Sequence, residues 1–105
     1  MYLSATSTSV ELKDSTNFKD LYLDASERTL PEVSAALEDV NGGIILGGYA
    51  WIARSFLETA LAANGGDWQE SFEKMVAYAD SNGWTSSGDA DVVSIRAHIV
   101  NAATD

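Results

Sequence analysis

Residues 41–51 read NGGIILGGYAW, and how this stretch is read decides the fold of the chain around it. Two glycine pairs bracket three aliphatic residues, and two aromatic residues follow around an alanine. A phosphate-binding loop, a membrane segment and a strand between turns all compete for such a sequence. The phosphate loop G-x-x-x-x-G-K-[ST] needs a lysine and a hydroxyl after its second glycine, because they complete the cradle begun by backbone N–H groups. Gly42 and Gly47 have that spacing, but Gly48 and Tyr49 occupy the two decisive positions. The dinucleotide pattern G-x-G-x-x-G is absent as well.

A membrane-spanning helix needs about 20 predominantly apolar residues. The uncharged stretch here stops at Arg54 and carries four glycines. Each glycine costs a helix about 1 kcal/mol relative to alanine, so the segment is neither a membrane span nor a helix. Strand remains. Gly42-Gly43 is expected to turn the chain, Ile44 to Leu46 to be buried, and Gly47-Gly48 to mark a bulge or a close backbone approach. Beyond them Tyr49, Trp51 and Ala53 share one face, and Ala50 and Ile52 the other.

Upstream lies a helix. Thr29 stands three residues before Glu32, the capping-box spacing, and Pro31 falls in the first turn, where its missing N–H costs nothing. Leu30, Val33, Leu37 and Val40 recur at helical spacing, and Asn41-Gly42 ends the run. Glu38 and Asp39 sit at the C-terminal end, where each opposes the helix dipole by about 0.3–1 kcal/mol if exposed. Further upstream, VELKD and FKDLYLD alternate, with Val10 and Leu12, then Leu21 and Leu23, opposite Tyr22. Asp14 to Asn17 supplies turn chemistry between them, so a hairpin is predicted. Ser4 to Ser9 extends the first strand or frays.

Downstream, Ser55-Phe56-Leu57-Glu58 repeats capping-box spacing, with Phe56, Leu57, Ala60 and Leu61 as its apolar face. A third helix starts at Asp67 as acidic N-cap, with a stripe of Trp68, Phe72, Met75, Val76 and Ala79, and stops at Ser81-Asn82-Gly83. Trp84 to Asp91 reads as a polar loop. Val92 to Val100 alternates as a final strand, with Val93, Ile95, Ala97 and Ile99 opposite Ser94, Arg96 and His98. The tail NAATD is expected to fray. The predicted order is β-β-α-β-α-α-β: one α+β domain over residues 1–105, with an antiparallel-rich sheet of about four strands and three helices on one face.

Composition bounds the function. A chain of 105 residues supports one hydrophobic core. It has no cysteine, so disulfides, thiolate chemistry and zinc–cysteine sites are out. The N-terminus has neither a basic start nor an apolar run, so no signal peptide is read and a soluble, cytoplasmic protein is expected. Sixteen acidic residues face six Lys and Arg, for a formal charge of −10. Lys13, Lys19, Arg28, Arg54, Lys74 and Arg96 are scattered, and no cluster follows a phosphate backbone. Direct nucleic-acid binding and an anionic membrane surface are therefore excluded. Such a chain attracts a basic protein surface or a metal ion, although the same charge also serves solubility.

Catalytic candidates are few. His98 is the sole histidine, there is no G-x-S-x-G elbow, and no cofactor is expected. The carboxylate pairs Asp89/Asp91 and Glu70/Glu73 carry no specific pattern. DSNGWTSSGDAD, residues 80–91, imitates a calcium loop, but Trp84, Thr85 and Asp91 stand where an oxygen ligand, glycine and glutamate are required, so no metal is assigned. Aromatic residues are the usual anchors of interfaces. Trp68 and Trp51 are expected in the core, while Tyr49 and Trp84, with Glu38 and Asp39, form the candidate partner-binding set.

The function read from these features is a small acidic, non-catalytic protein-binding module, an inhibitor or regulator of a basic, nucleic-acid-binding partner. The alternative is a small enzyme or accessory subunit with a pocket between sheet and helices near Tyr49, Trp51 and His98. A third reading is acidic adaptation to high salt.

Overall fold

A computed structural model describes residues 1–5, 9–14, 18, 21–88 and 91–103. The elements run β1 (Tyr2–Ala5), β2 (Val10–Lys13), β3 (Tyr22–Asp24), α1 (Leu30–Asp39), β4 (Gly43–Leu46), β5 (Tyr49–Ala53), α2 (Arg54–Asn64), α3 (Gln69–Ser81), β6 (Thr85–Gly88) and β7 (Asp91–Val100). Among the described residues the strands form one seven-stranded mixed sheet in the order β2-β1-β3-β7-β5-β4, with β6 also pairing to β7.

The long strand β7 organises this sheet. Along one edge β5 runs antiparallel to it, setting Ala53 opposite Ser94 and Ala50 opposite Ala97. The other edge is shared: β6 pairs antiparallel with its first half, and β3 pairs in parallel with His98 to Val100. Among the described residues three helices cover one face and none covers the other. Leu3, Leu23 and Ile52 of the sheet meet Leu37, Leu57 and Phe72 of the helices in the core, all fully buried.

The α+β class and three helices agree with the sequence reading, but the sheet differs. It is mixed, with four of its six strand pairings antiparallel and two parallel, and among the described residues it has seven strands where about four are expected, because three escape the sequence pattern. β1 was hidden by the serines and threonines that follow it, yet Leu3 and Ala5 are buried in strict alternation with Tyr2 and Ser4. It lies between β2 and β3, antiparallel to one and parallel to the other, so the predicted hairpin of those two strands does not form. The Gly47-Gly48 turn splits the glycine-rich segment into β4 and β5. β6, sequence TSSG, lacks any apolar residue and exists because it pairs with β7. The turn expected over Asp14–Asn17, the lead over Ser4–Ser9 and the tail fall partly outside the described residues.

The opening stretch resolves into a hairpin. Gly47 and Gly48 have φ of +64° and +83° and open space around them. Positive φ at both central residues is the mark of the two-residue type I′ turn, which matches the strand twist. The close approach lies instead at Gly43, where an added Cβ would sit 2.1 Å from the Trp51 carbonyl oxygen. Burial of Ile44 to Leu46 is corrected too: Ile45 faces the helices, while Ile44 and Leu46 point away and are 57% and 63% exposed. A strand of period two buries only every other side chain against a single helical layer.

Helix ends divide the same way. At α1 the capping box forms as read: Thr29 Oγ1 accepts from the Glu32 N–H (3.4 Å), and the Glu32 carboxylate accepts from the Thr29 N–H (3.2 Å). α2 begins earlier than expected, with Ala53 as N-cap and no side-chain cap, and Glu58 accepts from Arg54 Nε (3.2 Å). Trp68, not Asp67, is the N-cap of α3. Among the described residues no helix is long and apolar enough to cross a membrane.

Candidate functional site

The helix-free face of the sheet collects unusual side chains for an exterior surface. Register sets Tyr2 beside Tyr22, Tyr22 beside His98, Arg96 beside Trp51, and Trp51 beside Ile44, with Leu46 beside Tyr49. Tyr2 and Tyr22 stack with ring centres 4.9 Å apart, and Tyr49 leans on His98 at 5.5 Å. The Trp51 indole N–H donates to the Leu46 carbonyl across the hairpin (3.3 Å). At the β4–β5 end this face becomes plainly apolar through Ile44, Leu46, Tyr49 and Trp51.

Arg96 ties the face together. Its guanidinium carbon lies 4.3 Å from the Tyr49 ring centre and 5.7 Å from that of Trp84. Trp84 in turn meets Tyr78 of α3 edge-on at 5.9 Å. Every other described Lys or Arg holds a carboxylate: Lys13 with Glu11, Arg28 with Glu32, Arg54 with Glu58 and Glu73, and Lys74 with Glu70. Arg96 has no carboxylate partner among the described residues.

A cleft of about 550 Å³ opens beside it, between α3 and the shared edge of β7. It forms where β6 and β3 part company: Trp84 immediately precedes β6, Leu21 immediately precedes β3, and both line the cleft. Met75, Tyr78 and Ala79 of α3 close the opposite wall, and Arg96 and His98 contribute polar groups. A pocket between sheet and helices thus exists next to His98, but Tyr49 and Trp51 are not in its wall. Tyr49 reaches it through Arg96 and His98.

The expected partner-binding residues separate into two groups. Tyr49 and Trp84 are half-buried and joined by Arg96. Glu38 and Asp39 are exposed at the end of α1, on the helical side of the sheet, and do not share a face with Tyr49. They do lie just before the hairpin that carries Ile44 and Leu46. Trp51, expected in the core, is half-buried on the open face, and Trp68 is half-buried against Phe72, with ring centres 5.9 Å apart.

The sequence reading did not single out Ile44, Leu46, Tyr2 or Arg96. Strict alternation through GIIL would have exposed the first two. Arg96 was already on the polar face of the last strand, but its lack of an acidic partner is visible only in three dimensions.

Of the titration shifts, that of Glu32 lies away from this face, and that of Lys13 lies at its β2 edge, opposite Tyr2. A hydrogen bond from the Thr29 N–H holds Glu32 below the usual carboxylate range, and Glu11 raises Lys13 by accepting from it. In the segment read against a calcium loop, Asp80 accepts from Thr85 Oγ1 (2.8 Å), tying α3 to β6, while Asp89 lies outside the described residues. Among the described residues no three His, Asp or Glu gather where a metal ion would be held. Comparisons with protein-family models, curated proteins and solved structures find no match for this chain.

Proposed function

We propose that this chain is a small acidic, non-catalytic protein-binding module that presents its β4–β5 hairpin to a basic partner, as an inhibitor or regulator of a nucleic-acid-binding protein would. The observation that carries the reading is the exposure of Ile44 and Leu46, 57% and 63%, next to Tyr49 and Trp51 on a face that no helix covers. Contiguous exposed apolar surface on a charged protein marks an interaction site. Tyrosine and tryptophan are the residues that most often dominate binding energy at such sites. Glu38 and Asp39, exposed at the end of α1 just before the hairpin in sequence, would steer a basic partner toward it from the helical side. A net charge of −10 draws a cationic surface and speeds encounter with it.

The division of labour is testable. Affinity capture at low salt, followed by a salt gradient, should retain a basic protein and release it as screening shortens to about 8 Å near physiological ionic strength. Glu38→Lys with Asp39→Lys should slow association, and Ile44→Asp with Leu46→Asp should speed dissociation. Retention unchanged by both double substitutions would sink the reading. So would a melting temperature that climbs steeply with salt when no partner is captured, which is the signature of salt adaptation.

A further inference from the structure

The cleft between α3 and β7 carries a separate inference, one that does not rest on the partner-binding reading. We infer that it binds a small amphipathic carboxylate: a molecule with an alkyl or aryl body and one acid group. Its volume of about 550 Å³ falls within the range of small-molecule sites, about 300–1,000 Å³. Leu21, Met75, Tyr78 and Trp84 supply an apolar wall. Met75 lends that wall adaptability, since a thioether side chain fills irregular shapes at little cost.

The polar end is built around Arg96. Sixteen residues of the chain are acidic, and five of the described ones hold Lys13, Arg28, Arg54 and Lys74, yet among the described residues none holds Arg96. Tyr49 and Trp84 engage it as a cation over their rings. Ring contacts of this kind support the planar guanidinium without consuming its N–H groups, which form the fork that matches a carboxylate. His98 lines the cleft beside it, and Lys74 stands on the α3 side, tied to Glu70 at 3.3 Å.

Charge narrows the ligand further. One guanidinium with no carboxylate partner among the described residues, within a molecule of net charge −10, suits a monoanion, because the field of the whole protein opposes each additional negative charge. Phosphate esters carrying two charges are disfavoured on that ground, and the apolar wall asks for a body that inorganic anions lack.

The experiment titrates isotope-labelled full-length protein with decanoate and with 4-phenylbutyrate, following Leu21, Met75 and the Trp84 indole by NMR. The corresponding alcohols, 1-decanol and 4-phenylbutanol, serve as uncharged controls, and inorganic phosphate as a charge without a body. The expected result is saturable shifts at those three residues with at least one carboxylate below millimolar concentration, and binding at least tenfold weaker for its alcohol and for phosphate. Arg96→Gln should weaken the carboxylate at least tenfold, with Arg96→Lys intermediate. The inference is overturned if neither carboxylate shifts these residues at millimolar concentration, or if alcohol or phosphate binds as well as the acid. The controls on the unmodified protein decide the matter even if Arg96→Gln fails to fold.

Discussion

On the helix side of the sheet Leu3, Leu23 and Ile52 are completely buried, whereas Tyr22, Trp51 and Arg96 of the same or adjoining strands remain half-buried on the other side. The two faces differ in chemistry as much as in burial. The covered face uses aliphatic side chains and alanine, which have no polar atoms to satisfy. The open face uses rings with a polar handle, a guanidinium and an imidazole, which tolerate a surface that is wet at some times and covered at others. Apolar content alone does not separate the two, since Ile44 and Leu46 are as aliphatic as anything in the core. What separates them is the single helical layer, whose stripes Val33/Leu37, Leu57/Leu61 and Phe72/Val76/Ala79 all close on one side.

This contrast breaks most readily at the core. Phe72→Ala should destabilise the fold by about 3–5 kcal/mol, the usual cost of truncating a buried phenylalanine, measured by denaturant unfolding. A loss below about 1 kcal/mol would mean that the helical layer does not hold the sheet, since such small losses belong to surface positions.

Gly43→Ala comes next. Its Cβ would meet the Trp51 carbonyl oxygen at 2.1 Å with φ at +143°, and the combined strain and crowding should cost about 1–3 kcal/mol. The same measurement on Gly47→Asn tests the converse, because that position has positive φ but open space and asparagine tolerates the left-handed region. Its cost should be much smaller.

Thr29→Ala should cost about 1 kcal/mol through loss of the α1 cap. Protonation of Glu32 probes the same cap from the other side. Its carboxyl titrates below the ordinary range because it accepts from the Thr29 N–H. The stabilisation it provides is therefore present above the unfolded-state value and lost as pH falls through the folded-state value. Melting curves followed by circular dichroism should show this acid-side loss, and Glu32→Gln should flatten it while preserving a capping group.

The smallest expected effect on stability lies on the open face. Ile44→Asp and Leu46→Asp should each change unfolding free energy by no more than about 0.5 kcal/mol, as exposed positions do, while abolishing capture of a basic partner. A large destabilisation would show instead that this edge of the sheet is part of the core.

Much of this was legible in the chain itself. The start and stop of α1 follow from Thr29, Glu32, Pro31 and Asn41-Gly42, all within one or two turns of the helix they bound. The two faces of β5 and the burial of Ile95 and Ala97 in β7 follow from period-two alternation. The candidate site was legible only in pieces: Tyr49 and Trp84 are singled out by the sequence as candidate binding aromatics, but not that Arg96 joins them, and Glu38 and Asp39 fall on the helical side.

What the sequence determines by itself is whatever is decided between near neighbours: caps, turns, the alternation of strands and the stripes of helices, together with the net charge. Tertiary structure alone decided that β1 enters between β2 and β3, that TSSG becomes a strand, and that a cleft opens where β6 and β3 separate beside an arginine with no carboxylate partner among the described residues. The reason is physical. Those outcomes depend on which strand offers a free hydrogen-bonding edge and which face the helices cover, and both are set by residues far apart in sequence.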